Sequence, residues 1–177
     1  MNQQKPHTLL CTVGTSLITN STRHPAGCLL KQYIVERNVQ GTVAELTLAE
    51  NTGRLSAELN SIASIVSHNY LSECKRCLFL VSDTPEGHFT GAVFKELLAS
   101  SKIPFRFEET EFQIVEGLND NDIRQFRNTG LRNLVRLIGK ETRKTGAANI
   151  IINATVQMRK HLKIECDSLK AFLENML

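Results

Sequence analysis

Three short apolar runs divide this chain: TLLCTV at residues 8–13, CLFLV at 77–81 and NIIIN at 149–153. Each has the length of a strand, and an apolar run this continuous is what a strand covered on both faces requires. Between the runs lie segments of helical period. Leu55, Leu59, Ile62 and Val66 recur at intervals of four, three and four, which puts them on one face of a helix. Helices are also expected around 27–37, over 92–99, 123–140 and 157–177, with two lesser strands at 42–46 (TVAEL) and 105–108. Strands alternating with helices predict an α/β fold, a mostly parallel sheet with helices on both faces.

A length of 177 residues suits one domain over 1–177, long enough to bury about two thirds of its unfolded surface. With 41% hydrophobic and 22% charged residues, the chain is neither a disordered segment nor a disulfide scaffold. A net charge of +3 demands no long nucleic acid as partner. No run is long enough for a signal peptide's apolar core or for a bilayer span, so no membrane association is expected. The five Cys are odd in number and irregular in spacing, which suggests a reducing, cytoplasmic setting. Cys74 and Cys77 form a lone C-x-x-C without the second pair a zinc site would want, and they read as buried thiols beside a strand.

All three strong runs end in polar loops: GTSLITNS after the first, SDTPEGHFTG after the second and NATVQMRK after the third. In open α/β sheets, ligands bind beyond the carboxyl ends of the strands, so these loops are expected to share one rim. In the first, Gly14 permits close backbone approach, Thr15 and Ser16 bring hydroxyls, and the turn can present N–H groups to an anion. A capped strand-to-helix turn explains the same residues. With one Gly and no following Lys, the loop is neither a P-loop nor a dinucleotide fingerprint, and no cofactor is implied.

The second loop holds Asp83, Glu86, His88 and Thr90, types suited to acid–base work, but no nucleophile elbow accompanies them. The five His do not fall at metal-ligand spacings, so no metal site is expected. In the third loop Arg159 and Lys160 stand at the start of the closing helix, the wrong end for a cation and the macrodipole. They face solvent there or serve an anionic ligand. Arg132, Arg136, Lys140 and Lys144 recur every four residues, a stripe that is either a solvated helix face or a phosphate or partner surface.

Taken together, LLCTVGTSL, FLVSDTPEGHFTGAVFKELL, GLRNLVRLIGK and NIIINATVQMRK resemble the CARF family, the CRISPR-associated Rossmann-fold domains that sense cyclic oligoadenylate. The likeness covers nearly the whole chain and rests on order and spacing rather than on one motif. In the last loop the family's Asn-x-Thr-Gly-Gly-x-Lys type of sequence becomes Asn153-Ala154-Thr155-Val156-Gln157-Met158-Arg159-Lys160. Val156 and Gln157 replace the glycines, and the family's cation falls on Arg159 with Lys160 adjacent.

The resemblance implies a Rossmann-like homodimer whose ligand loops face each other across a two-fold axis. It also implies one of two functions. Stand-alone members are ring nucleases that cut the messenger and end type III CRISPR signalling; others are non-catalytic sensors that bind the ring and act through a partner. With only a helix expected after the last strand, the ring nuclease is favoured, with cyclic tetra-adenylate as substrate. Its metal-free reaction lets a ribose 2′-hydroxyl displace the neighbouring phosphodiester, yielding linear di-adenylate with a 2′,3′-cyclic phosphate end. Ser16 is assigned to positioning, and Arg159 or Lys160 to transition-state charge. Gly14, Thr15, Leu17, Ser82, Asp83, Thr84, Asn153, Thr155 and Gln157 are assigned to the ligand pocket.

Overall fold

β1 (His7–Val13) is one of the two inner strands of a four-stranded sheet. A computed structural model describes residues 7–17, 28–48, 57–67, 74–100, 106–118, 122–146 and 149–153. After β1 come helices α1 (Cys28–Val35), α2 (Val39–Leu48) and α3 (Ala57–Ser67), then β2 (Cys74–Ser82) and α4 (Pro85–Ala99). β3 (Glu109–Val115) follows, then α5 (Ile123–Gln125), a π-helical turn at Phe126–Gly130, α6 (Leu131–Thr145) and β4 (Ile150–Asn153). The four strands pair in the order β3-β2-β1-β4, all parallel. This is the expected α/β, Rossmann-like arrangement.

The pleat of β1 divides the core. Leu9, Cys11 and Val13 point to one face, where they join Leu30 of α1, Leu46 of α2, Leu59 and Ile62 of α3, and Val93, Phe94 and Leu97 of α4. Leu10 points to the other, with Leu78 and Leu80 of β2 and Leu134 and Leu137 of α6. Two faces follow from one crossover handedness. The steps β1→β2→β3 move one way along the sheet and put their helices on the first face. The step β3→β4 returns past β1 and puts α6 on the second.

Local chemistry explains where the elements depart from expectation. Residues 42–46 are not a strand; they lie within α2, where the buried Thr42 and Leu46 stand four apart. The turn that starts α2 is stapled by Asn38, whose side chain accepts from Gly41 N–H and whose carbonyl accepts from the Thr42 hydroxyl. α4 begins at Pro85 rather than near 92, because Thr84 caps it by accepting from Gly87 N–H and Pro85 supplies a ready-made first helical φ. The third strand is Glu109–Val115, not 105–108: as an edge strand it keeps polar residues on its outer positions, which hid it. The long helix is interrupted at Phe126–Gly130, where Leu131 N–H reaches back to the Phe126 carbonyl. There Gly130 lies against the Gly117 carbonyl so closely that a Cβ would collide with it. The closing helix expected over 157–177 lies outside the described residues.

At the amino end of the sheet, away from the strand-end loops, Arg76 joins three carboxylates. It pairs with Glu109 at 3.4 Å, with Glu111 at 2.7 Å and with the buried Glu141, which also receives Lys144 at 2.9 Å. Burial alone would raise the Glu141 pKa, but hydrogen bonds from Lys144 and Arg76 and their charges outweigh it and hold the carboxylate below its usual range. Lys144 of the basic stripe is thus committed to α6, while Arg132, Arg136 and Lys140 are exposed.

Phe79 is fully buried and stacks on Phe112 at 4.8 Å between centroids, with Phe94 tilted against it at 5.5 Å. Truncating it removes the contact between three elements and leaves a cavity. Phe79→Ala is expected to cost about 3–5 kcal/mol by urea unfolding, and Phe79→Leu clearly less.

Candidate functional site

Val13 pairs with Val81, and Cys11 with Asn153, so the ends of β2, β1 and β4 lie side by side. The loop Gly14–Thr15–Ser16 therefore leaves the sheet beside Ser82, with the end of β4 on its other flank. Between β1 and β4 the strand order reverses, which is where an α/β sheet of this kind opens its ligand crevice.

The loop is held from below by a carboxylate. Glu58, in the first turn of α3, is only 4% exposed. Its Oε1 accepts from Gly14 N–H at 3.2 Å, and its Oε2 accepts the hydroxyl of Ser16. The start of a helix favours a negative charge, so α3 helps to keep this buried carboxylate in place. Ser16 itself is half-buried and Thr15 exposed, whereas Leu17 turns into the apolar core among α1–α4. Thus Gly14 N–H and the Ser16 hydroxyl both donate to a protein carboxylate.

One turn along α3, Ser61 accepts from the Asn153 amide at 2.7 Å, and the same amide donates to Cys11 Sγ at 3.4 Å. Asn153 is buried, and its side chain ties β4 to β1 and α3 beneath the rim. The Asn153 carbonyl also accepts from the buried Thr12 hydroxyl at 3.5 Å. α3 therefore supports both the Gly14–Ser16 loop, through Glu58, and the end of β4, through Ser61.

At the end of β2, Ser82 and Thr84 share a hydrogen bond at 3.1 Å while Thr84 caps α4. Gly87 sits so near that a Cβ there would strike both the hydroxyl and the carbonyl oxygen of Ser82. Asp83 turns outward and bonds His88 Nε2 at 2.8 Å, each side chain about half exposed. The structure brings together Gly14, Ser16, Ser82, Asp83 and Thr84 on one rim, with Asn153 buried beneath it, and adds His88. Thr155, Gln157, Arg159 and Lys160 lie outside the described residues. Among the described residues, no group of three His, Cys, Asp or Glu could hold a metal ion, and no helix is long and apolar enough to cross a membrane.

Glu58 escaped the sequence reading, yet its signal was there. It lies three residues after Leu55 and four before Ile62, on the flank of the apolar stripe of α3. A carboxylate in that position must be buried, and a buried carboxylate requires partners.

The cysteines of the sheet are inert by environment. Burial, and then the negative charge of Glu58, push the Cys11 thiol up to about 12, against the opposing hydrogen bond from Asn153. Burial likewise raises Cys74 and Cys77. In the folded chain Cys11 keeps a proton that an unfolded thiol releases near 9.0, so its contribution to stability falls as pH rises from 9.0 to about 12. At pH 8 the native protein should alkylate at Cys11, Cys74 and Cys77 only as fast as it unfolds, read residue by residue with mass spectrometry. Fast labelling of any of the three without loss of structure would contradict this burial.

No curated protein matches this chain. A protein-family model described as CRISPR-associated protein (Cas_APE2256) matches residues 53–164, a stretch that runs from just before α3 to beyond β4. It takes in Glu58, the Asp83–His88 pair, Asn153, Arg159 and Lys160, while the Gly14–Ser16 loop precedes it. On that match over most of its length, the chain belongs to the CRISPR-associated Cas_APE2256 family.

Proposed function

We propose that this protein is a ring nuclease, which binds a cyclic oligoadenylate and cleaves it to linear di-adenylate ending in a 2′,3′-cyclic phosphate. The observation that supports the reading most is the place of the Gly14–Ser16 loop. It stands at the carboxyl end of an inner strand, at the reversal of strand order, with a half-buried hydroxyl held from beneath. Membership of a CRISPR-associated family gives that messenger class a context.

The chemistry asks little of the protein beyond placement. A ribose 2′-hydroxyl must lie in line with the leaving 5′-oxygen, and orientation of this kind can contribute roughly 7–11 kcal/mol. Ser16 is the positioning hydroxyl in this reading. Arg159 or Lys160, which follow β4 in sequence, stabilise charge on the phosphorane, each fixed donor adding about 3–4 kcal/mol. A cyclic tetra-adenylate is itself two-fold symmetric, so a homodimer with the Ser16 loops at its axis would present a matching site.

The decisive assay is the purified protein with cyclic tetra- and hexa-adenylate under single-turnover conditions, resolved by chromatography over hours. Cleavage that survives EDTA and yields the cyclic-phosphate-ended dinucleotide is expected. Tight binding with the ring left whole would make the protein a sensor instead, and activity restored only by Mn²⁺ or Mg²⁺ would overturn the mechanism. Light scattering at micromolar concentration should give a dimer. Ser16→Ala combined with Lys160→Ala or Arg159→Ala should still bind the ring but cut it at least ~100-fold more slowly.

A further inference from the structure

We propose that the outer face of α6 docks double-stranded DNA through the phosphates of one strand. Four cations make that face. Arg132, Arg136, Lys140 and Arg143 are all exposed, and at the helical period they fall within an arc of about 80°. Leu134 and Leu137, on the other side of the helix, are buried against the sheet. None of the four cations forms an ion pair with another described residue. The one acidic residue of α6, Glu141, is buried and already held by Arg76 and Lys144. Among the described residues, nothing on this face neutralises its charge.

Gly139 is the second observation. It stands in the interior of α6, three residues after Arg136 and four before Arg143, at the edge of the cationic arc. A helix interior favours Ala over Gly, and a Cβ at this position would meet no atom within 4 Å. Packing within the described structure therefore does not ask for glycine there. What the missing side chain leaves is a shallow place between cations, and a phosphate backbone laid over it comes within reach of Arg136, Lys140 and Arg143 together. From Arg132 to Arg143 the row spans about 17 Å, the length of about five phosphates along one strand of a duplex. The chemistry narrows the occupant. Arg and Lys side chains only donate, and the three Arg suit phosphate oxygens. α6 carries no aromatic side chain on which unpaired bases could stack, which sets single strands aside. None of the exposed large hydrophobic residues lies on α6, so the face lacks the apolar anchor of a protein interface. A second copy of the chain would set like charge against like.

The test is fluorescence anisotropy with a labelled DNA duplex of about 20 base pairs, titrated between about 50 and 200 mM salt. If each of the four cations neutralises one phosphate, log K falls against log salt with a slope of about −3.6, a weakening of roughly 150-fold over that range. Arg132→Gln with Arg136→Gln, and Lys140→Gln with Arg143→Gln, should each make the slope shallower by about 2, and all four together should abolish binding. Gly139→Leu keeps every charge and should weaken binding several-fold with no loss of stability to urea. Lys31→Gln and Lys95→Gln, exposed cations on α1 and α4, should leave the slope unchanged. A wild-type chain that does not bind the duplex at the lowest salt would overturn the proposal, as would a fourfold variant or Gly139→Leu with wild-type affinity. Single strands, duplex RNA or polyglutamate binding more tightly than duplex DNA would also overturn it, the last by making the face one for acidic proteins. Circular dichroism reports folding, and if the fourfold variant does not fold, the two double variants carry the test. Ring cleavage depends on other residues, so its failure would leave this result standing.

Discussion

β1 must be satisfied on four sides at once, and most of the described structure follows from that demand. Its backbone pairs with β2 along one edge and β4 along the other. Its side chains are buried on both faces, Leu9 and Cys11 towards α1–α4 and Leu10 towards α6. A strand so enclosed meets its polar surroundings only at its two ends. Gly14, Thr15 and Ser16 stand at the carboxyl end, and the ends of β2 and β4 are carried to the same place by parallel pairing. Burial thus creates the site by exclusion.

That enclosure also explains the role of α3. Four residues of its first two turns serve two purposes. Leu59 and Ile62 complete the core, while Glu58 and Ser61 reach the polar atoms at the ends of β1 and β4. A buried carboxylate is costly unless hydrogen bonds surround it. Here the backbone of Gly14, the hydroxyl of Ser16 and the start of the helix all favour its charge. The raised pKa of Cys11, due in part to Glu58, shows the same charge acting on the strand below. One carboxylate thus holds the loop through both the Gly14 backbone and the Ser16 hydroxyl.

Opposite ends of the sheet treat charge differently. At the amino end, Arg76 gathers Glu109, Glu111 and Glu141, and Lys144 closes the set. These pairs join β2, β3 and α6 by charges that satisfy one another. Among the described residues at the carboxyl end, the polar groups are mainly hydroxyls and amides around the buried Glu58, with Asp83 and His88 turned towards solvent.

The sequence by itself determined the layered α/β architecture, because continuous apolar runs at residues 8–13 and 77–81 can be satisfied only between two layers of helix. It also placed Gly14–Ser16, Ser82–Thr84 and Asn153 at strand ends, since a parallel sheet puts every such end on one side. It misplaced what depends on neighbours. TVAEL at 42–46 has strand-like residues, but its helix is decided by the Asn38 cap and by packing of Thr42 and Leu46; the polar edge strand β3 is legible only through its pairing with β2. Glu58 was the largest omission. Its place on the α3 stripe announced burial, but 42 residues separate it from Ser16. Only the folding of α3 against β1 gives that carboxylate its serine, because a hydrogen bond depends on distance in space and leaves no mark on spacing in the chain.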